Sequence, residues 1–385
     1  MAYGAGLARK GADMRRVFLT LAGLAALGLA GAGAVVGLGL YNVSAQVGHL
    51  PGVSWVLHTT FRNSVRLRAP SMDKAPRLDD PDLIALGAGH FATACAGCHA
   101  APGQRRSATI RAMVPVPPDI QKAVAHWPPN ELHWIVENGV KMSGMPGWPV
   151  TGRGDEVWAV VAYLVSLQNG AAPDLPQAGP TAVTYCKTCH GPVRGPVPRL
   201  DILEPTYIET QLNAYLDAKR PSGIMAQATS LANKSEFGDL ARALGANAPD
   251  AHQAGGPPAL APSPTQQEPQ TEMHNQAPTP DIGHTYDDMT GSRRSDENSA
   301  LLNAPKGETL ARRGTRDVPA CLACHGPETS AKGPVLMGQP ETFLENQLKL
   351  WKDGTYQHDK LMRAATRDLS EDEISALAQY FSGQE

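Results

Sequence analysis

Cys95-Ala96-Gly97-Cys98-His99, Cys186-Lys187-Thr188-Cys189-His190 and Cys321-Leu322-Ala323-Cys324-His325 together use all 6 cysteines of a 385-residue chain. Each is a pair spaced by two residues and followed at once by His. Two intervening residues bring both sulfurs to the edge of a flat macrocycle within about one helical turn. The adjacent His then offers a ring nitrogen from below. C-x-x-C-H therefore reads as a c-type haem site, and three copies read as three covalent haem c groups. Structural zinc would draw four ligands from two pairs and leave the third idle. A thioredoxin-like motif expects one pair in a βαβ setting. Disulfides place no demand on the residue that follows them.

A haem in an electron carrier takes a second axial ligand, and Met opposite His raises its potential. Between His190 and His252 there is no other His, and Met225 is the only Met. It lies in Ser222-Gly223-Ile224-Met225-Ala226, between two helical stretches, where a loop can offer its sulfur. Met362 follows His325 at nearly the spacing at which Met225 follows His190. Met337 and His358 compete with it: Met337 sits in a stretch suited to packing on the ring, and His358 would give bis-His ligation and a lower potential. In the first unit the candidates are Met113, Met142 and Met145. Met145 precedes Pro146, which biases it to an extended backbone and suits a sulfur aimed at iron; Met142 is the rival. The expected axial sets are His99 with Met145, His190 with Met225, and His325 with Met362.

The rest of the chain is organised around these motifs. Charged residues are 18%, aromatics 5%, with 38 Gly and 33 Pro, a composition of small units and flexible joints. A formal net charge of −3 argues against nucleic-acid binding. Residues 1–70 nevertheless carry seven Lys/Arg against one Asp. Arg9, Lys10, Arg15 and Arg16 precede an uncharged stretch from Val17 to Leu40, long enough as a helix to span a hydrocarbon core of about 30 Å. Flanking positive charge stays in the cytoplasm, which sends the rest outward. A cleaved signal, with Val43-Ser44-Ala45 as the cleavage site, is the rival reading, although signal apolar regions are shorter. Trp55, Phe61, Arg62, Arg66 and Arg68 suit either a segment on the lipid surface or an ordinary docking helix.

The expected divisions are 1–43 as cytoplasmic tip and transmembrane anchor, 44–70 as juxtamembrane segment, and haem domains at 71–171, 172–246 and 304–385. In the first domain, 81–94 reads as an entry helix, with Leu83, Leu86, Gly87 and Phe91 available for packing. Residues 130–138 read as a second helix capped by Asn130, and 154–168 as a third, with Trp158 and Tyr163 in the core. The second and third domains are internal repeats. Gly195-Pro196-Val197 matches Gly333-Pro334-Val335, and Pro205 to Leu212 matches Pro340 to Leu348. Closing helices are expected at 234–245 and 370–382. Residues 247–303, rich in Pro, Gln, Asn and Ser, read as a disordered linker with ends on the order of 40 Å apart; Met273 and Met289 are linker residues. The third domain could then be a tethered shuttle head, or the two repeats could dock and the linker loop out.

At these motifs the sequence resembles class I c-type cytochromes from about residue 80 onward, the linker excepted. Asn138-Gly139-Val140-Lys141-Met142-Ser143-Gly144-Met145-Pro146-Gly147-Trp148 resembles the methionine loop in cytochrome subunits of quinoprotein alcohol dehydrogenases and cbb-type oxidases, where the Met before Pro is the iron ligand. The second and third units resemble the halves of dihaem cytochromes of the c-four type, which supports Met225 and Met362. The long linker departs from that pattern, as do Pro173, Pro176 and Pro180 where the second unit should have an entry helix. The resemblance implies an all-α fold of three small class I cytochrome c domains after one transmembrane helix.

The function so implied is electron transfer on the outer, periplasmic face of a bacterial inner membrane, with a single pass and a cytoplasmic N-terminus. The expected redox partners are a quinol-oxidising complex or periplasmic dehydrogenase on one side and a terminal oxidase or soluble carrier on the other. A haem enzyme of peroxidase or nitrite reductase type would need one iron with a free sixth position. A cytochrome subunit of a membrane dehydrogenase is the other alternative. A redox sensor would need an output domain that the chain lacks.

Overall fold

A computed structural model describes residues 3–44, 46–141, 143–171, 175, 182–191, 195–246, 306–326 and 333–383, with only the backbone for 3–13. Every regular element among them is helical. The chain divides into two compact units, 1–63 with 108–116, and 64–107 with 117–385. The expected linker, Met142, Ala45 and Pro173, Pro176 and Pro180 lie outside the described residues.

The first unit contains α1 (Tyr3–Gly37). Its segment Met14–Gly37 has 24 residues, mean hydropathy 2.0 and no buried share. It is long and apolar enough to cross a bilayer, and a signal sequence shares those properties. The helix stops short of the expected Leu40. Beyond it, α2 (Val53–Arg68) leaves Trp55 71% exposed. Val65, at its other end, is fully buried in the second unit.

In the second unit, Asp80 starts α3 (Pro81–His90). Its carboxylate accepts from the backbone N–H of Asp82 and Leu83, and Pro81 supplies a preset first turn. The expected entry helix does not run on unbroken to residue 94. A π-helical turn, Phe91–Cys95, follows α3 and leads to the short turn Ala96–His99. This wider turn carries Cys95 out of the α-helical register. Next come α4 (Pro129–Asn138) and α5 (Gly154–Gln168). Asn130 is not the cap expected of it. Pro128 holds that position, and the Asn130 amide donates to Pro70 O at 3.0 Å. A long-range partner outcompeted the local one. α5 packs on α3 and α4, and Phe91, Leu132, Val157, Trp158 and Tyr163 form one buried cluster. Each such side chain contributes about 1.5–3 kcal/mol by leaving water.

The following helices are α6 (Ala182–His190), α7 (Pro205–Leu216), α8 (Gly223–Ser230) and α9 (Phe237–Leu244). Leu203, Ile208, Leu212, Phe237 and Leu240 form their core. After the undescribed stretch come α10 (Lys306–Arg313), α11 (Glu341–Lys352), α12 (Lys360–Thr366) and α13 (Glu371–Ser382). Their core holds Leu310, Leu344, Ile374, Leu377 and Phe381. α13 opens with a capping box, Ser370 with Glu373.

These clusters are joined. Leu86 and Ala159 pack with Val197, and Cys189 and Ile224 lie alongside. Gln339, 2% exposed, accepts from Arg199 N at 2.9 Å through Oε1 and donates to Arg199 O at 3.0 Å through Nε2. This two-way bond imitates a strand pairing between the repeats. Arg220 Nη2 adds a bond to Gln347 Oε1 at 3.0 Å. The two repeats are docked here through these bonds, the alternative to a tethered shuttle head. The docked contacts are buried, which a freely searching head cannot have.

Candidate haem sites

The three motif histidines are held alike. His99 Nδ1 lies 2.9 Å from Pro118 O, His190 Nδ1 lies 3.1 Å from Pro198 O, and His325 Nδ1 lies 2.9 Å from Pro334 O. A carbonyl only accepts, so the proton is on Nδ1 and donates. In the neutral ring this leaves a lone pair on Nε2. Burial holds His190 and His325 below the usual imidazole pKa, which favours that neutral form. The acceptor also corrects the repeat register. Pro198, not Pro196, is the counterpart of Pro334.

At the third site His325 Nε2 faces Met362 Sδ at 3.4 Å. Both atoms present lone pairs, because the ring proton is committed to Pro334. Two donors aimed at each other mark a place for an electrophilic iron, and taking one between them would widen the gap from 3.4 Å to about 4.3 Å, the sum of two metal–ligand bonds. His358 stands nearby with its ring against Trp351, centroids 4.7 Å apart. Met337 is 43% exposed rather than packed in a pocket.

Met225 does not project from a loop as expected, and Met362 is placed the same way. Each lies in the first turn of a helix, α8 or α12. Ser222 Oγ accepts from Met225 N at 3.2 Å, and Asp359 Oδ1 accepts from Met362 N at 3.1 Å. One turn later Thr229 Oγ1 donates to Met225 O at 2.8 Å, and Thr366 Oγ1 to Met362 O at 2.9 Å. Capping side chains compete well for the orphan N–H groups of a first turn, so a cap and a threonine seven residues apart suffice to build the holder.

Met145 is held differently, in an irregular loop. Its N–H donates to Ser143 Oγ at 3.1 Å and its carbonyl accepts from Val140 N at 3.1 Å. No hydrogen bond joins it to His99. Met113 belongs to the other compact unit.

A cavity of about 1350 Å³ is lined by Cys186, Cys189, His190 and Met225 together with Cys321, Cys324, His325 and Met362. The second and third sites thus open into one space. Its walls are mixed, with Leu200, Leu344, Val335 and Phe343 among the apolar residues and Arg220, Tyr215 and His358 among the polar. This suits a flat apolar ring with polar edges. Burial, aided by Cys98, pushes the Cys95 thiol up to about 12, and burial pushes Cys189 up to about 11. Neutral sulfur in apolar surroundings is consistent with a thioether position. The first site is brought near the second by α3: a Cβ at Gly89 would come within 2.9 Å of Cys189 Sγ.

Several residues escape sequence reading. Arg153 and Glu156 pair at 2.8 Å with side chains only 5% and 9% exposed. Arg220 lies over the Tyr215 and Tyr356 rings, 5.1 and 5.4 Å from their centroids, and donates to Gln211 Oε1 at 2.5 Å. Burial pushes the Glu156 carboxyl up, opposed by Arg153. The Arg153–Glu156 pair is local, but its burial and its bonds to Pro221 and Gly223, like that of Arg220 to Gln347, come from segments distant in the chain.

Residues 82–164 match the family described as cytochrome C oxidase, cbb3-type, subunit III. The chain is 28% identical over 251 residues to a thiosulfate dehydrogenase electron acceptor from Stutzerimonas stutzeri (strain A1501), covering 61% of this chain and 94% of that protein. It is 34% identical over 80 residues to cytochrome c-554(548) of Halomonas halodenitrificans, which is 20% of this chain and 96% of that protein. It is 37% identical over 89 residues to cytochrome c4 of Thiocapsa roseopersicina, covering 21% and 46% respectively.

Proposed function

Since the chain belongs to the cytochrome c family, we propose that it is a trihaem electron carrier held at the outer face of a bacterial inner membrane. Bound haem c supplies a one-electron iron couple. Cys95 and Cys98, Cys186 and Cys189, and Cys321 and Cys324 hold the three groups covalently. His99 and Met145, His190 and Met225, and His325 and Met362 would hold the three irons through nitrogen and sulfur. The observation that carries this reading is His325 Nε2 facing Met362 Sδ at 3.4 Å with Nδ1 already donating to Pro334. The same His–Pro bond at the other two motifs extends it.

The residues keep the protonation state of the site constant. Each proline carbonyl retains the Nδ1 proton, so Nε2 stays a lone-pair donor. Apolar walls exclude water, which limits reorganisation when charge changes. The second site is the middle of the relay, with Gly89 at one side and the shared cavity at the other. The relatives named as thiosulfate dehydrogenase electron acceptors support a periplasmic dehydrogenase as donor, within an oxidoreductase complex. α1 supports a membrane anchor on the N-terminal side.

The test is a count of covalent haem by mass and by haemochrome spectrum. The expected result is three per chain, with Cys186→Ala plus Cys189→Ala losing one and leaving two. A wild-type count below three, or loss of all haem in the double variant, overturns the reading of three separately held groups. Reduced protein whose spectrum changes with carbon monoxide would instead point to an open iron and a haem enzyme.

A further inference from the structure

Glu156 joins two segments that each carry a proposed axial methionine. Its Oε2 accepts from Trp148 Nε1 at 3.3 Å, and Trp148 follows Met145 closely in the same loop. The same oxygen accepts from Gly223 N at 2.6 Å and Ile224 N at 3.3 Å, the first two amides of α8, which carries Met225. Its other oxygen pairs with Arg153 at 2.8 Å, and Arg153 in turn bonds Asp155 at 2.8 Å and Pro221 O. The contact has no slack. A Cβ at Gly223 would come within 2.0 Å of Trp148 Nε1, so the two segments touch where the absence of a side chain leaves room for indole.

A first turn has orphan N–H groups that its own cap normally meets. Ser222 meets only the Met225 amide. Glu156, from a segment 67 and 68 residues earlier, meets the two before it. These are charge-assisted bonds in a site with little water, the kind that fixes geometry most firmly. We infer that Glu156 is a positioning residue that sets the Met225 sulfur at the second site from within the first cytochrome module, and ties the two methionine loops into one unit.

This inference rests on the proposed ligation by Met145 and Met225. Its test is the potential of each haem in the full-length protein, together with the red charge-transfer band of the methionine–iron bond. Glu156→Ala is expected to lower the potential of one haem and to remove one site's share of that band. The third site should not change, and the covalent haem count should stay at three. Glu156→Gln keeps an acceptor oxygen at the same place. It is expected to restore the band and to raise the potentials of the first two sites, because one buried negative charge is lost while Arg153 keeps only Asp155 as its ion-pair partner. If Glu156→Ala does not fold, the Gln variant decides alone. Unchanged potentials at all three sites in Glu156→Gln, or an intact band and potentials in a folded Glu156→Ala, overturn the inference. A wild-type haem count other than three would instead bring down the ligation it rests on.

Discussion

Met145 and Met362 illustrate two ways of presenting a sulfur. Met362 sits in the first turn of α12, where Asp359 accepts from both Leu361 N and Met362 N, at 2.8 and 3.1 Å. Met225 repeats the plan with Ser222. Met145 sits in an irregular loop stitched by Ser143 and Val140. A capped helix concentrates the holding energy in one or two side chains near the ligand. The loop spreads it over backbone bonds and over neighbouring segments, including Trp148 N donating to Glu137 O at 2.8 Å. The helical sites are therefore open to single-residue tuning, and the loop site is more tolerant.

Replacing the sulfur should have the largest effect. Met225→His and Met362→His should each lower the potential of one haem, since imidazole favours ferric iron more than thioether does. Spectroelectrochemical titration measures this. His358→Ala should leave all three potentials in place; a shift there, with none in Met362→His, would return the third axial position to His358.

The holders should come next. Asp359→Ala should cost about 1–2 kcal/mol and Ser222→Ala about 1 kcal/mol, the usual range for a lost cap. Both should weaken the methionine–iron band. Ser143→Ala should cost about 1 kcal/mol for its hydrogen bonds yet leave the band intact, because other bonds still hold the loop. Urea melts followed in the band region compare them. Equal band loss in all three variants would erase the distinction between cap and loop.

Docking of the repeats should matter least to ligation. Gln339→Ala breaks two buried bonds and should cost about 1–3 kcal/mol, with every axial set retained. Deleting residues 251–295 should leave turnover with a reductase partner unchanged, because Gln339 and Arg220 hold the repeats together. A large fall in turnover after that deletion would restore the shuttle.

Much of the site was legible because its rules are local. The C-x-x-C-H spacing, the lone Met225 and the Met145-Pro146 step all sit within a few residues of what they explain. The helix α5 was likewise readable from apolar spacing, and α13 from its place after Met362. Other readings failed where a distant partner intervened. Asn130 had the right type for a cap but found Pro70 O. Pro196 looked like the partner of Pro334 by motif, yet Pro198 meets His190, because the chain between motif and proline differs in length in the two repeats.

By itself the sequence determined how many C-x-x-C-H motifs there are, which residues are proposed as ligands, that the fold is helical, and that one apolar helix precedes it. Those follow from residue type and spacing, which act over a turn or two. The tertiary structure alone decided that the Met362 sulfur lies beside the His325 imidazole, that the second and third motifs line one cavity, and that Glu156 touches both methionine segments. Each of these depends on contacts between segments tens of residues apart. Such contacts form only when apolar faces such as those of Leu86, Ala159 and Val197 find one another and leave water together.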